Sequence, residues 1–381
     1  MTFGPSSRLS LALDCRDVSL PATAPHRLSN IDWRWALPRI LLVFLVTRLL
    51  VMVVLVAVEA TQPDLPPPAH LVSDDRTFLT TLTAWDGSWY RSIAEDGYHA
   101  EFERWPDYAF YPLYPAAIRV ASTLTLGDSG LAALLVSNAA FAAALVSFYA
   151  LSVRYLPPDR AIFGLWLLGL APGAIAFTIA YTESLFLLLA VASFLSAETR
   201  RYWLAGVLVA LATLGRPTGI LLILPLALLY LQRDGWRPNR ALLPLVLAPL
   251  AWLGWFAYVW VLTGEPMASF EAQSYWDTFY APPPDQVVPD DPRKLPIGPI
   301  IPLYYLVIAL YTFSLVYLRS DKFPHAYRLL VLVVIGSLFL AGRLDSAVRY
   351  LVIAWPAYWG FATRQSPLGR AAILALFTVL Q

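Results

Sequence analysis

Charge is what this sequence has least of. Asp, Glu, Lys and Arg make up 14% of its 381 residues, 58% are hydrophobic, and the mean hydropathy is +0.59. Soluble domains carry about 25% charged residues, so the composition excludes an ordinary soluble domain and implies an integral membrane protein. A net charge of +1 offers no basic surplus for nucleic acid. A single cysteine, Cys15, excludes an internal disulfide and a cysteine-rich metal centre. The four histidines (His26, His70, His99, His325) are far apart, and neither HExxH nor CxxC occurs, so no dedicated transition-metal site is expected. Residues 1–36 lack the continuous apolar core of a cleavable signal peptide. Residues 1–37 are expected to form a disordered cytoplasmic tail before a membrane domain over 38–381. There is no internal repeat of fixed period, and no pair of inverted halves of the kind transporters often carry.

What the sequence has in quantity is apolar runs. About eleven reach or approach the length of a membrane helix: 38–58, 130–152, 161–180, 183–197, 202–215, 218–231, 241–262, 299–318, 328–341, 347–362 and 369–381. The expected fold is therefore an all-α polytopic membrane bundle. If the spans alternate, the short basic loops (Arg154 and Arg160; Arg200 and Arg201; Arg233, Arg237 and Arg240; Arg319, Lys322 and Arg328; Arg364 and Arg370) share one side with Arg27, Arg34 and Arg39. The excess of Arg and Lys makes that side cytoplasmic. Two long loops, 59–129 and 263–298, then lie outside the cytoplasm with most of the carboxylates and with Arg216, Arg343 and Arg349 near span ends. Charges at membrane depth are costly and mark function. Arg48, inside the first span, must find a partner in the bundle or reach an interface.

The first long loop holds Trp85-Asp86-Gly87-Ser88-Trp89-Tyr90 and then Phe110-Tyr111-Pro112-Leu113-Tyr114-Pro115. Trp85, Trp89, Ile93 and Gly97 recur every four residues, so 87–96 reads as an interfacial amphipathic helix closed by Gly97. Asp86 stands at its N-cap position, open to two readings: a helix cap or a base. Pro115 can start a second interfacial helix over 116–126. The rings around it form either an aromatic belt or the wall of a sugar or lipid groove. Glu183 falls at an outer span boundary, either in a helix first turn capped by Thr182 or orienting acceptor hydroxyls. Arg216, Arg343 and Arg349 suit a phosphate, which the planar guanidinium can meet with two bonds; Arg343 can instead pair with Asp345.

In order, Trp85-Asp86-Gly87-x-Trp89-Tyr90-x-x-Ile93-Ala94-x-x-Gly97-Tyr98, Phe110 to Pro115, Tyr181-Thr182-Glu183-Ser184, Arg216-Pro217-Thr218-Gly219, and Arg349-Tyr350 before Trp355-Pro356 resemble the PIG-V family, the GPI mannosyltransferase 2-like proteins. The resemblance spans roughly 38–362. It implies a GT-C glycosyltransferase bundle with interfacial helices in the first outer loop, and transfer of mannose from a polyprenyl-phosphate donor to a glycan or glycolipid acceptor with inversion. It also implies an acidic base in that loop. Many GT-C enzymes have two adjacent acidic residues there; here Gly87 follows Asp86, and Asp74-Asp75 lie outside the matched motif. On this reading Asp86 is catalytic. Trp85, Trp89, Tyr90, Tyr111, Tyr114, Glu183, Arg216, Arg343, Arg349 and Tyr350 are the candidate donor and acceptor contacts. No cofactor is expected, because a lipid phosphate leaves without requiring a metal. The competing readings are a polytopic lipid or solute transporter, toward which Arg48 leans, and a noncatalytic subunit of a glycan assembly complex.

Overall fold

The structure, a computed structural model, describes residues 30–61, 78–100, 106–273, 301–318, 321–341, 346–363 and 366–381. The expected disordered tail, Arg343, Asp345 and most of 263–298 lie outside the described residues. All regular elements among the described residues are helical.

The first helix, α1 (Trp33–Thr61), starts before the expected position 38. Asp32 accepts a hydrogen bond from the Trp35 N–H at 3.1 Å, a cap that nucleates the helix ahead of Pro38. One face of α1 exposes Leu37, Leu41, Leu45, Leu49 and Val53, while Ala36, Ile40, Val43, Thr47 and Val51 are buried. Such a helix meets lipid on one side and protein on the other. Among the described residues, three stretches are long and apolar enough to cross a membrane: Trp33–Ala57, Ser129–Ser152 and Arg240–Thr263.

The described residues of 59–129 form short helices: α2 (Phe78–Leu82), α3 (Asp86–Asp96) and α4 (Leu113–Ala121). The last of these starts before and stops short of the expected 116–126, because residues 122–128 turn sharply into α5 (Ser129–Ser152). Asp128 caps α5 by accepting from Leu131 N at 2.9 Å.

The expected span 161–180 is not one helix. α6 (Pro158–Gly169) ends before a bend at Pro172 and Gly173, followed by a short 3-10 turn, Ala174–Phe177. After it come α7 (Glu183–Glu198) and α8 (Tyr202–Gly215), close to their expected limits. A 3-10 turn, Pro217–Leu222, leads into α9 (Ile223–Arg233), and another, Arg240–Val246, into α10 (Leu247–Thr263). The remainder is α11 (Ile301–Tyr317), α12 (His325–Ala341), α13 (Ala347–Leu351), α14 (Pro356–Thr363) and α15 (Pro367–Leu380). The expected span 347–362 is thus also broken, into α13 and α14, just ahead of Pro356, where a proline opens the second helix.

α7 is the centre of the bundle. Phe186, Leu187, Ala190, Val191 and Phe194 are all buried, and the opposite stripe, Leu185, Leu188, Ala192 and Leu195, is half-buried. The first loop is locked onto this bundle by rings. Tyr90 meets Phe110 and Tyr114 edge-on, each at 5.0 Å between centroids. Tyr114 is fully buried, and its hydroxyl donates to Ala133 C=O at 3.0 Å and lies 2.6 Å from Ser137 Oγ. Tyr111 packs on Trp255, whose indole donates to Ser269 Oγ, which in turn donates to Tyr108 C=O. Tyr114 thus ties this segment to α5, Tyr111 ties it to α10, and both lie within the packing, not along an open groove. Because a neutral hydrogen bond contributes about 0.5–1.5 kcal/mol, Tyr114→Phe should lower unfolding stability by about that amount in detergent. Wild-type stability in that variant would show that the hydroxyl does not hold α4 to α5.

Candidate active site

The loop motif enters α3 through a tight turn in which Gly87 N–H donates to Ala84 C=O at 3.0 Å. Trp85 occupies the N-cap position, half exposed, with φ 59° and ψ −128°, a conformation rare for any residue with a side chain. Asp86 is therefore the first helical residue and not the cap expected from its spacing. Its carboxylate turns away from the helix N–H groups because an arginine competes for it: Arg349 Nη1 donates to Asp86 Oδ2 at 2.5 Å. A charge-assisted bond is roughly twice as strong as a neutral one.

The backbone under this pair is closely fitted. A Cβ on Gly87 would lie 3.1 Å from Ala180 Cβ and 3.2 Å from Ala180 O, so α3 seats directly on the 180 peptide. Ala180 N–H donates to Leu82 C=O at 3.0 Å. On the other side, Gly173 has φ +83°, and a Cβ there would come within 2.5 Å of Val348 O and 3.1 Å of Arg349 N. Only glycine meets both demands, and it sets the Val348–Arg349 peptide against the bend.

Glu183 opens α7, and Thr182 does not cap that helix with its side chain. The Thr182 hydroxyl instead accepts from Arg216 Nη1 at 3.2 Å, and the same nitrogen donates to Glu183 Oε1 at 2.5 Å. Pro217 forbids helical geometry at Arg216, which is extended at φ −154° and ψ 143° and so leaves α8 beside Glu183. Arg349 Nε lies 3.1 Å from the same Glu183 oxygen. Asp86, Arg349, Glu183 and Arg216 thus form one chain of alternating charge that sums to zero. Tyr350 lies against both guanidiniums, at 4.8 Å from Arg216 and 5.3 Å from Arg349, and Tyr181 faces Arg349 at 5.0 Å.

Exposure divides the chain in two. The Glu183 and Arg216 side chains are 2% and 8% exposed, whereas Arg349 and Asp86 are 23% and 26% exposed. Only the second pair can meet a ligand arriving from outside. Trp89 stacks on Phe110 beside it. Tyr90 is buried near it, and burial, helped by the charge of Asp86, raises its pKa and keeps the phenol protonated. Tyr350 also lines a narrow apolar cleft, together with Phe186, Leu222, Leu330, Val334 and Thr218. Thr218 Oγ1 is buried there without a hydrogen-bond partner among the described residues.

The structure therefore brings together Asp86, Glu183, Arg216, Arg349 and Tyr350, with Trp85, Trp89 and Tyr90 around Asp86. Tyr111 and Tyr114 lie in the packing behind. Gly173 was not singled out by sequence, though Pro172-Gly173 inside an apolar run is a breaker signal. Removing one partner from a buried ion pair costs about 3–5 kcal/mol. Glu183→Gln should therefore destabilise the protein by that order, while Asp86→Asn, at the open end, should cost far less. Equal effects in denaturant titrations would contradict this division of the cluster.

Residues 35–233, 199 of the 381, match the family model Mannosyltransferase (PIG-V). That span holds Asp86, Glu183 and Arg216; Arg349 and Tyr350 lie beyond it. The chain is 32% identical over 152 residues to GPI alpha-1,6-mannosyltransferase 2 of Cricetulus griseus, covering 37% of this chain and 30% of the relative. It is 30% identical over 168 residues to the Homo sapiens protein of the same name, covering 42% and 33%. The match thus spans about a third of the length of those relatives. Among solved structures, the crystal structure of the Archaeoglobus fulgidus oligosaccharyltransferase in the apo form aligns with a TM-score of 0.46 and 14% identity over 90% of this chain and 55% of that one. With the family model covering more than half of its length, this membrane protein belongs to the Mannosyltransferase (PIG-V) family.

Proposed function

We propose that the protein is a membrane glycosyltransferase that moves mannose from a polyprenyl-phosphate donor to a glycan or glycolipid acceptor on the extracytoplasmic side, with inversion. The observation that carries this reading is the half-open Asp86–Arg349 pair, whose arginine lies against Tyr350, a residue that also lines a narrow apolar cleft. A lipid phosphate sugar needs a cationic seat for its phosphate beside apolar surroundings for its chain. The family match and the names of the relatives supply the sugar.

In this mechanism the donor phosphate binds Arg349, with Arg216 behind it and the Thr218 hydroxyl within the cleft. The acceptor hydroxyl approaches the anomeric carbon from the face opposite the phosphate. Asp86 accepts the hydroxyl proton as the new C–O bond forms and the bond to the phosphate oxygen breaks. The electron pair leaves on the phosphate, where the guanidiniums stabilise the growing charge. Glu183, sealed between two arginines, orients them. Trp85 and Trp89 offer apolar ring surface to the sugars. The arginines supply the cationic role, so the mechanism needs no metal.

The test is transfer from labelled polyprenyl-phosphate mannose to lipid acceptors by the purified protein. General base catalysis contributes about 10²–10⁴ in rate. Asp86→Asn should lose about that factor while remaining folded, and sustained turnover in that variant would remove Asp86 as base. Arg349→Lys keeps the charge but loses the planar fork; donor affinity and turnover should both fall. Unchanged donor dependence would take Arg349 out of the phosphate seat.

A further inference from the structure

Arg48 lies deep in α1, 6% exposed. Its hydrogen-bond partners among the described residues are dipoles and not a carboxylate. Nη2 donates to Gly169 C=O at 3.2 Å, and Nη1 donates to Thr178 Oγ1 at 2.6 Å and to Ala174 C=O at 3.4 Å. Its guanidinium also lies 4.4 Å from the Phe141 ring, and Phe141 stacks on Phe177 at 4.6 Å.

The partners share one property. Gly169 ends α6, and Ala174 and Thr178 lie in and just after the following 3-10 turn, so the guanidinium bridges the two sides of the bend at Pro172-Gly173. Gly169 C=O is one of the carbonyls that a helix end leaves unpaired, and it carries the negative end of the helix dipole. A planar cation with several donors suits this gap, and a lysine, with a single point of charge, does not. The apex of the clamped bend is Gly173, the residue in contact with the Val348–Arg349 peptide.

We propose that Arg48 is a positioning residue: by clamping the bend it holds the Val348–Arg349 peptide in place, and through it the Arg349–Asp86 pair. The proposal rests on the functional reading above for its kinetic consequence, but not for its structural one. Arg48 touches no reacting atom. Its effect passes from α1 to the bend, from Gly173 to the 348–349 peptide, and from Arg349 to the carboxylate.

The experiment compares purified wild type with Arg48→Gln and Thr178→Val, the second removing only the 2.6 Å contact. Hydrogen exchange should rise in 170–182 and 346–352 and stay at the wild-type level in 195–203, at the far end of α7. A uniform rise across all helices, or no change in 346–352, would overturn the proposal. In kinetics, a displacement of the order of 1 Å can cost about 10²-fold, so Arg48→Gln should lower kcat by up to that factor. The loss should largely vanish when the variant is made in an Arg349→Lys background, since both changes then act on one contact. Losses that multiply in full would mean that Arg48 acts elsewhere. If Arg48→Gln does not fold, Thr178→Val carries the same two measurements with a smaller loss. If wild type shows no transfer, the functional reading fails and the exchange pattern alone decides the clamp.

Discussion

A backbone carbonyl removed from water must find a donor, and in an apolar bundle only the protein can supply it. That constraint shapes the stretch from Gly169 to Glu183, on which the site depends. Once Pro172 and Gly173 interrupt the helix, side chains from three different helices serve the freed carbonyls. Arg48 of α1 takes Gly169 and Ala174; Asn138 and Ser137 of α5 take Thr178 and Tyr181; Ser184 of α7 takes Phe177. Satisfying the broken backbone thus ties the stretch to three helices. The stretch in turn locates three of the charged groups. Ala180 receives α3 and so Asp86, Gly173 receives the peptide of Arg349, and Glu183 begins where the stretch ends.

The two ends of α7 show how one kind of interaction serves two purposes. At the C-terminal end, Glu198 is enclosed by Arg154, Arg233, Tyr155 and Tyr327. The two arginines also donate to the last carbonyls of α7, where the helix dipole favours cations. All of these contacts turn inward, and the result is a joint between helices. At the N-terminal end Glu183 is buried in the same manner, but its partner Arg349 continues to Asp86, a quarter of whose side chain is exposed. One buried anchor with one open link is the arrangement expected of a preorganised site, in which donors are fixed before charge develops. The more exposed Asp86–Arg349 pair is thus held by the buried Glu183–Arg216 pair.

Much of this was legible in sequence because the sequence is so poor in charge. Against an apolar background each carboxylate or arginine near a span end is conspicuous, and Asp86, Glu183, Arg216 and Arg349 could be picked out without knowing that they meet. Helix limits followed where local signals are strong, as in α8 over Tyr202–Gly215. They failed at 161–180, where continuous apolarity hides a break: hydropathy averages over the window, while Pro172-Gly173 acts on two residues. Tyr111 and Tyr114 read as groove lining because aromatic rings beside a membrane have the same composition whether they face a ligand or a core.

Sequence by itself determined the class of protein, the run of helices and the pool of candidate charges, since hydropathy, turn chemistry and charge scarcity are properties of neighbouring residues. Tertiary structure alone decided how Asp86 is used. From spacing, the residue is an N-cap; in the fold, Trp85 takes that position and Asp86 turns to Arg349, 263 residues away. Competition between a cap and an ion pair is settled by which partner is near and how far both are removed from water. Proximity and burial exist only after α3 has settled on Ala180 and the peptide of Arg349 on Gly173.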